Sequence, residues 1–189
     1  IAEEDTLQKS SVLGMDILVN INIAPTVKMG VNLSVDGKNR IDLQGGGELA
    51  YTMNTLGDSR FTGRYNLTGG FVRYNPPIIS EKLFKIQDGS YVSWNGDIAD
   101  PQMSITAVET VRTTISEEEK NTRQVNFDIS IIIKNSLENL SVSFDLSAPE
   151  DLTLQNQLTS LTAEQRASQA MSLLIYNTYT GPGTSTTKS

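Results

Sequence analysis

Apolar and polar residues alternate with period two along most of this chain, from Met15 to Leu146. Met15, Ile17, Val19, Ile21 and Ile23 open the pattern, and Val27, Met29, Val31, Leu33 and Val35 continue it up to Asp36-Gly37. Ile41, Leu43, Leu49, Tyr51 and Met53 follow, interrupted by Gly45-Gly46-Gly47, which predicts a bulge or sharp bend. Phe61, Tyr65 and Leu67 come next. Further on lie Met103, Ile105 and Ala107, then Val125, Phe127, Ile129, Ile131 and Ile133, and last Leu140, Val142, Phe144 and Leu146. Alternation over so many segments predicts half-buried antiparallel strands with one dry and one wet face. Short connections make a meander the simplest topology. Asp88-Gly89 and Asn95-Gly96-Asp97 read as hairpin turns, the second closed by Asp100-Pro101. Asn75-Pro76-Pro77 predicts a loop or crossover, and Ser116–Asn121 a solvated hairpin loop.

The period changes after Ala148-Pro149. Thr162-Ala163-Glu164-Gln165 is a capping box, and Ala167, Ala170, Met171, Leu174 and Ile175 follow at helical spacing. The spacing predicts a helix over 163–176, with a shorter one near 155–160. Met171, Leu174 and Ile175 are expected to dock on the sheet. The Gly-Pro-Gly-Thr-Ser-Thr-Thr stretch from Gly181 has linker composition. The domain reading is therefore a sheet domain over 1–150, a helical segment over 151–178 and a disordered tail over 179–189.

A sheet with one apolar face must hide it. Eight to ten strands against one amphipathic helix leave two solutions: folding the sheet lengthwise into a U-shaped apolar groove, or closing it as a sandwich or barrel. Alternation alone fits both. In the first, odd-numbered apolar residues of the early strands face inward. The groove reading names Val19, Ile21, Val31, Leu33, Leu43, Phe61, Tyr65, Ile105, Phe127, Ile129, Ile131, Val142 and Phe144 as lining residues.

Composition narrows the chemistry. The 189 residues contain no Cys and no His, which removes thiol chemistry and the usual acid–base residue and metal ligand of neutral pH. A net charge of −7 without a basic cluster argues against nucleic acid. No catalytic, metal or cofactor site is expected, so the chain is read as a non-enzyme. No apolar run reaches the ~18 residues of a membrane span, and Ile1 opens no secretory signal. The chain is thus expected to be cytosolic or a piece of a longer, targeted protein.

Several stretches together resemble one family. They are Gly63-Arg64-Tyr65, Leu67–Tyr74, Phe84-Lys85-Ile86, Gly89-Ser90, Val92–Asp97 with the single Trp94, Ile105-Thr106-Ala107 and Asp145–Pro149. In type, order and spacing this set is similar to the TamB C-terminal domain of bacterial envelope proteins. The resemblance implies a taco-like sheet with an apolar interior, in the periplasmic part of a protein anchored in the inner membrane. It implies phospholipid or another acyl chain as ligand, and an outer-membrane β-barrel as possible partner through a strand edge. Roles in phospholipid transport between membranes and in outer-membrane protein assembly follow from the same resemblance. The alternative is a structural or adhesive β-sandwich of a surface protein.

Overall fold

The computed structural model describes residues 14–117 and 121–182. Strands β1 (Ile17–Asn32), β2 (Arg40–Met53) and β3 (Ser59–Tyr74) lead into the short β4 (Lys82–Ile86) and β5 (Tyr91–Gly96). Then come β6 (Gln102–Glu117), β7 (Asn121–Ser136) and β8 (Ser141–Ser147), followed by helices α1 (Leu152–Ser160) and α2 (Ala163–Tyr176). All strands join one antiparallel sheet in chain order, with β4 and β5 sharing a single position between β3 and β6. β1, β3, β6 and β7 each have 16 residues, which makes the sheet about 50 Å long.

The shared position corrects one expectation. Asp88-Gly89 does not turn a hairpin, because β4 and β5 both run antiparallel to β3. The chain keeps its direction through a jog in which Gln87 donates to the Thr106 carbonyl and Leu67 to that of Ser90. The Ser90 side chain, buried there, accepts from the Thr106 N–H. An Asp-Gly pair supplies the positive φ of Gly89, and that serves a bulge as well as a hairpin. The hairpins expected at Asp36-Gly37 and after Asn95-Gly96 are present. Ser116 belongs to β6 and is buried, not loop; residues 118–120 of the expected acidic loop lie outside the described residues.

The sheet folds onto its own apolar face. Tyr74 on β3 and Phe144 on β8 are four ladder steps apart, about 19 Å in a flat sheet. Their ring centroids are 5.3 Å apart, and Phe84 of β4 packs 6.4 Å from Phe144. One apolar cluster runs from Ile41 of β2 to Leu146 of β8 and takes in Leu154, Leu158, Ala170, Leu173 and Leu174 of the helices. The fold is therefore a single sheet bent into a trough, and neither a two-sheet sandwich nor a closed barrel.

The bend has a joint at the three glycines of β2. Between Ile23 and Val27, β1 inserts Ala24-Pro25-Thr26 opposite β2, and β2 shifts register against β3 between Gln44 and Gly45. A Cβ at Gly45 or Gly47 would strike the carbonyl oxygen of Asn66 or Arg64, and one at Gly46 that of Ile23. With no side chain in the way, Tyr65 of β3 reaches over β2 and donates its hydroxyl to the Val27 carbonyl at 2.7 Å. Thr68 donates likewise to the Pro25 carbonyl at 3.0 Å.

The helices seal the far ends of β6 and β7. Thr162 accepts from the Gln165 N–H while the Gln165 side chain accepts from the Thr162 N–H, the expected capping box. Leu173, not Ile175, completes the buried stripe with Ala170 and Leu174; Ile175 stands at the exposed side. Arg166 ties α2 to Asp145 of β8 at 2.8 Å. The expected tail is also shorter: Tyr179 is buried, its ring 4.9 Å from Phe127, and Thr113 of β6 donates to the Asn177 carbonyl at 2.7 Å. Aromatic stacking on the sheet holds this segment, where linker composition suggested none. Residues 1–13 and 183–189 of the predicted segments lie outside the described residues.

Gly47→Ala should cost about 3 kcal/mol or more in urea denaturation, the loss expected of a forced backbone clash. Gly89→Ala, at a positive φ with open space around it, should cost only about 1–2 kcal/mol.

Candidate functional site: the apolar trough

The register assigns each residue to a face. Val19, Ile21, Val27, Met29 and Val31 of β1 lie opposite Tyr51, Leu49, Gly45, Leu43 and Ile41 of β2. Cross-strand partners share a face, so this row belongs to the inner side. The thirteen residues expected to line a groove then fall into three groups. Leu43, Tyr65, Ile105, Phe127, Ile129 and Ile131 are buried in the cluster, and Phe61 is buried outside it. Val31, Leu33 and Phe144 are half-buried against it. Val19, Ile21 and Val142 are exposed, at 44 %, 37 % and 46 %.

This division describes the trough. Along β6 and β7 the inner face is packed solid, with the helices and Tyr179 on it. Along β1 the same face is open, because an edge strand has a neighbour on one side only. Val27 (42 % exposed) and Met29 extend the open row beyond Ile21. The odd-numbered apolar residues of β1 thus face inward as expected, yet Val19, Ile21, Val27 and Met29 are not buried, whereas Ile41, Leu43 and Leu49 of β2 are. Val142 marks the opposite lip on β8, level in register with Leu67 and Val27 and short of the end where Val19, Tyr51 and Phe61 lie. Trp94 stands at that end, edge-on to Phe61 at 5.4 Å, its indole N–H donated to the Ile98 carbonyl. The Tyr74–Phe84–Phe144 contacts close the other end.

Clefts of about 390 and 510 Å³ open beside the trough, lined chiefly by outer-face residues such as Thr52 and Arg60, or Arg40, Asp42 and Arg73. Asp42 holds Arg40 and Arg73 there at 2.9 Å each, half-exposed pairs of small energetic weight. Among the described residues no three His, Cys, Asp or Glu side chains gather to hold a metal, and no helix is long and apolar enough to cross a membrane.

Three charged residues stand at inner positions: Arg123 of β7, opposite Ile115 and paired with Asp151 at 2.9 Å, and two others, Glu109 and Lys82. Glu109 lies on β6 between Ala107 and Val111 and opposite Ile129 of β7, all inner positions. Its Oε2 is buried without a hydrogen-bond partner. Burial raises the Glu109 pKa above the ordinary carboxylate value, an effect that the Lys82 charge partly offsets. Lys82 shares the phase of Phe84 and Ile86 on β4 and sits opposite Tyr74, whose phenol burial also pushes up. The alternation carried this signal: a Glu at the apolar phase after Met103, Ile105 and Ala107, and a Lys at that of Phe84 and Ile86.

A family model, the TamB C-terminal domain, matches residues 2–189. Comparison with curated proteins and with solved structures gives no match.

The raised pKa means that folded protein holds the Glu109 proton more tightly than unfolded chain does. Stability from this group is complete below the ordinary carboxylate pKa and is lost as pH rises through the raised folded value. Glu109→Gln should therefore melt higher than the parent at neutral pH, and the gap should close as pH falls below the ordinary carboxylate range. Thermal melts across pH measure it.

Proposed function

The chain belongs to the TamB C-terminal domain family of bacterial envelope proteins, and from that premise we propose that its trough is a non-catalytic carrier surface for acyl chains of phospholipid. The observation that carries this reading is the uncovered inner row of β1: Val19, Ile21, Val27 and Met29 stand exposed on the face that forms the core along β6 and β7. A contiguous exposed apolar strip is uncommon on a free-standing fold and marks a binding surface. Each methylene buried on it contributes about 0.8 kcal/mol, so a fatty chain is held by several kcal/mol with no polar anchor required along the strip. Chemically similar rungs along β1 let it slide. In this reading the domain works in the periplasm, passing lipid between membranes.

A second observation supports a protein partner. The outer edge of β1 pairs with no strand among the described residues, so its backbone groups can accept an added strand. Pro25 and the bulge around it divide that edge into two stretches, Ile17–Ile23 and Val27–Asn32. An outer-membrane β-barrel strand is the partner this edge suits.

The test uses protein purified without detergent, its organic extract analysed by mass spectrometry. Fatty-acyl lipid in stoichiometric amount is expected, and its absence overturns the reading. Ile129 is fully buried, so an Arg there would unfold the sheet and says nothing about transport. Ile21→Asp is the informative change, because Ile21 is exposed and its replacement spares the core. It should keep the parent's circular dichroism and lose most of the co-purified lipid; a folded variant carrying the parent's load sinks the proposal.

A further inference from the structure

One corner of the outer face gathers cations on an acidic protein. At the Asn32 end of β1, the residues Asn32, Arg40, Arg73 and Leu83 are successive cross-strand partners on β1 to β4. The next row along the strands is Gly30, Asp42, Phe71 and Lys85, and Lys28 lies one row further on. Cross-strand partners share a face, and this face is the reverse of the one where Ile41, Val72 and Phe84 are buried. Lys28, Arg40, Arg73 and Lys85 stand here against the carboxylates of Asp42 and Glu81, on a chain of net charge −7. Asp42 is shared by both guanidiniums at 2.9 Å each, and among the described residues Lys28 and Lys85 make no ion pair. Positive charge is therefore left over. The cleft of about 510 Å³ opens between these cations, lined by Lys28, Arg40 and Arg73 and by Gly30 and Gly70, which bring no side chain. A Cβ at Gly30 would strike the Arg40 guanidinium, so the glycine leaves room for that cation.

Apolar side chains collect at the same corner. Phe71 and Leu83 are nearly half exposed among the cations. Two loop tips stand at the strand ends beside them: Val35, fully exposed between β1 and β2, and Ile78, 83 % exposed between β3 and β4. Ile79, next to Ile78, enters the core and anchors its loop. The loops are also tied to each other. The Asn75 N–H donates to the Asn39 side chain at 2.7 Å, and the Asn39 amide donates back to the Asn75 carbonyl at 3.5 Å. Single exposed aliphatics are ordinary on a surface, but four such residues gathered in one cationic corner form a patch.

We propose that this corner docks the protein on the surface of an anionic phospholipid bilayer. Lys28, Arg40, Arg73 and Lys85 meet lipid phosphates, the cleft receives a headgroup, and Val35 and Ile78 enter the interface. Separate aliphatic tips on two loops enter lipid without a matching surface, whereas an acidic protein partner needs a continuous complementary one. The patch lies on the face of the sheet opposite the trough, so it acts whether or not the trough carries acyl chains. Docking here brings the Asn32 end of β1 to the bilayer.

Co-sedimentation of the full chain with vesicles tests this, using phosphatidylcholine alone or with about a third phosphatidylglycerol. Binding should be at least about tenfold tighter to the anionic vesicles at low salt, and should weaken steeply as salt rises to about 0.5 M. Lys28→Gln and Lys85→Gln break no ion pair of the fold, and each should weaken that binding about fivefold. Lys134→Gln, the same charge change on the outer face of β7, should leave it at the parent value. Val35→Ser and Ile78→Ser, at exposed tips, should each weaken it several-fold at every salt concentration. Circular dichroism verifies that each variant folds. Absent binding, equal binding to both vesicle types, or a loss in Lys134→Gln as large as in Lys28→Gln overturns the proposal. Polyglutamate bound as tightly as anionic vesicles, with Val35→Ser indistinguishable from the parent, overturns it too and marks an acidic protein partner instead.

Discussion

A continuous antiparallel sheet has an apolar side far larger than two short helices can cover, so the sheet must turn that side against itself. Tyr74 meeting Phe144 across the interior is where it does so. Everything else follows from that closure. The strands between them, β4 and β5, β6 and β7, become the floor of a trough, and their inner residues interdigitate as a core. The strands outside that span, β1 above all, become lips. Helix α2 and Tyr179 pack where β6 and β7 run on past β8, the place where the trough has no opposing wall of its own.

Bending so long a sheet requires places where strands can be pressed together, and side chains prevent that. The three glycines of β2 remove them at the point where β1 bulges and β3 shifts register. Tyr65 then spans the gap that the glycines leave and fastens β3 to β1. The same device explains why β1 is both attached and open. Its backbone is held by the hydroxyls of Tyr65 and Thr68, while its own inner side chains stay partly exposed.

Much of this was legible in the alternation, because period two fixes which residues share a face wherever the strands lie. The glycine joint, the capping box of α2 and the inward phase of Val19 or Phe127 needed no more than local pattern. What alternation cannot carry is coverage. Val19 and Ile129 read identically along the chain, and only the sheet position separates an open lip from a packed floor. Asp88-Gly89 shows a second limit: the dipeptide states that φ is positive, not whether the chain reverses afterwards. The Ile175 and Leu173 exchange is a third, since a stripe of adjacent apolar residues leaves the helix free to rotate by about one position until packing decides. Glu109 and Lys82 were visible as phase errors, but their meaning depended on the face being an interior one.

The lip along β1 stays uncovered. The fold covers its apolar face with care elsewhere: Leu154, Leu158, Leu173 and Tyr179 are spent on β6 to β8, and Ile79 from the loop before β4 joins the same cluster. A strand edge with an exposed aliphatic row is an invitation to unwanted pairing, and natural sheets usually blunt it. Here Pro25 and its bulge interrupt the edge without removing the row, so pairing along the full strand is hindered while the apolar strip stays continuous in phase on either side. That combination restrains the backbone and leaves the side chains available. A surface selected for sheet extension alone would gain from an unbroken edge, and one selected for stability alone would gain from polar residues at 19, 21, 27 and 29. An aliphatic strip behind a broken edge suits a ligand held by its hydrocarbon.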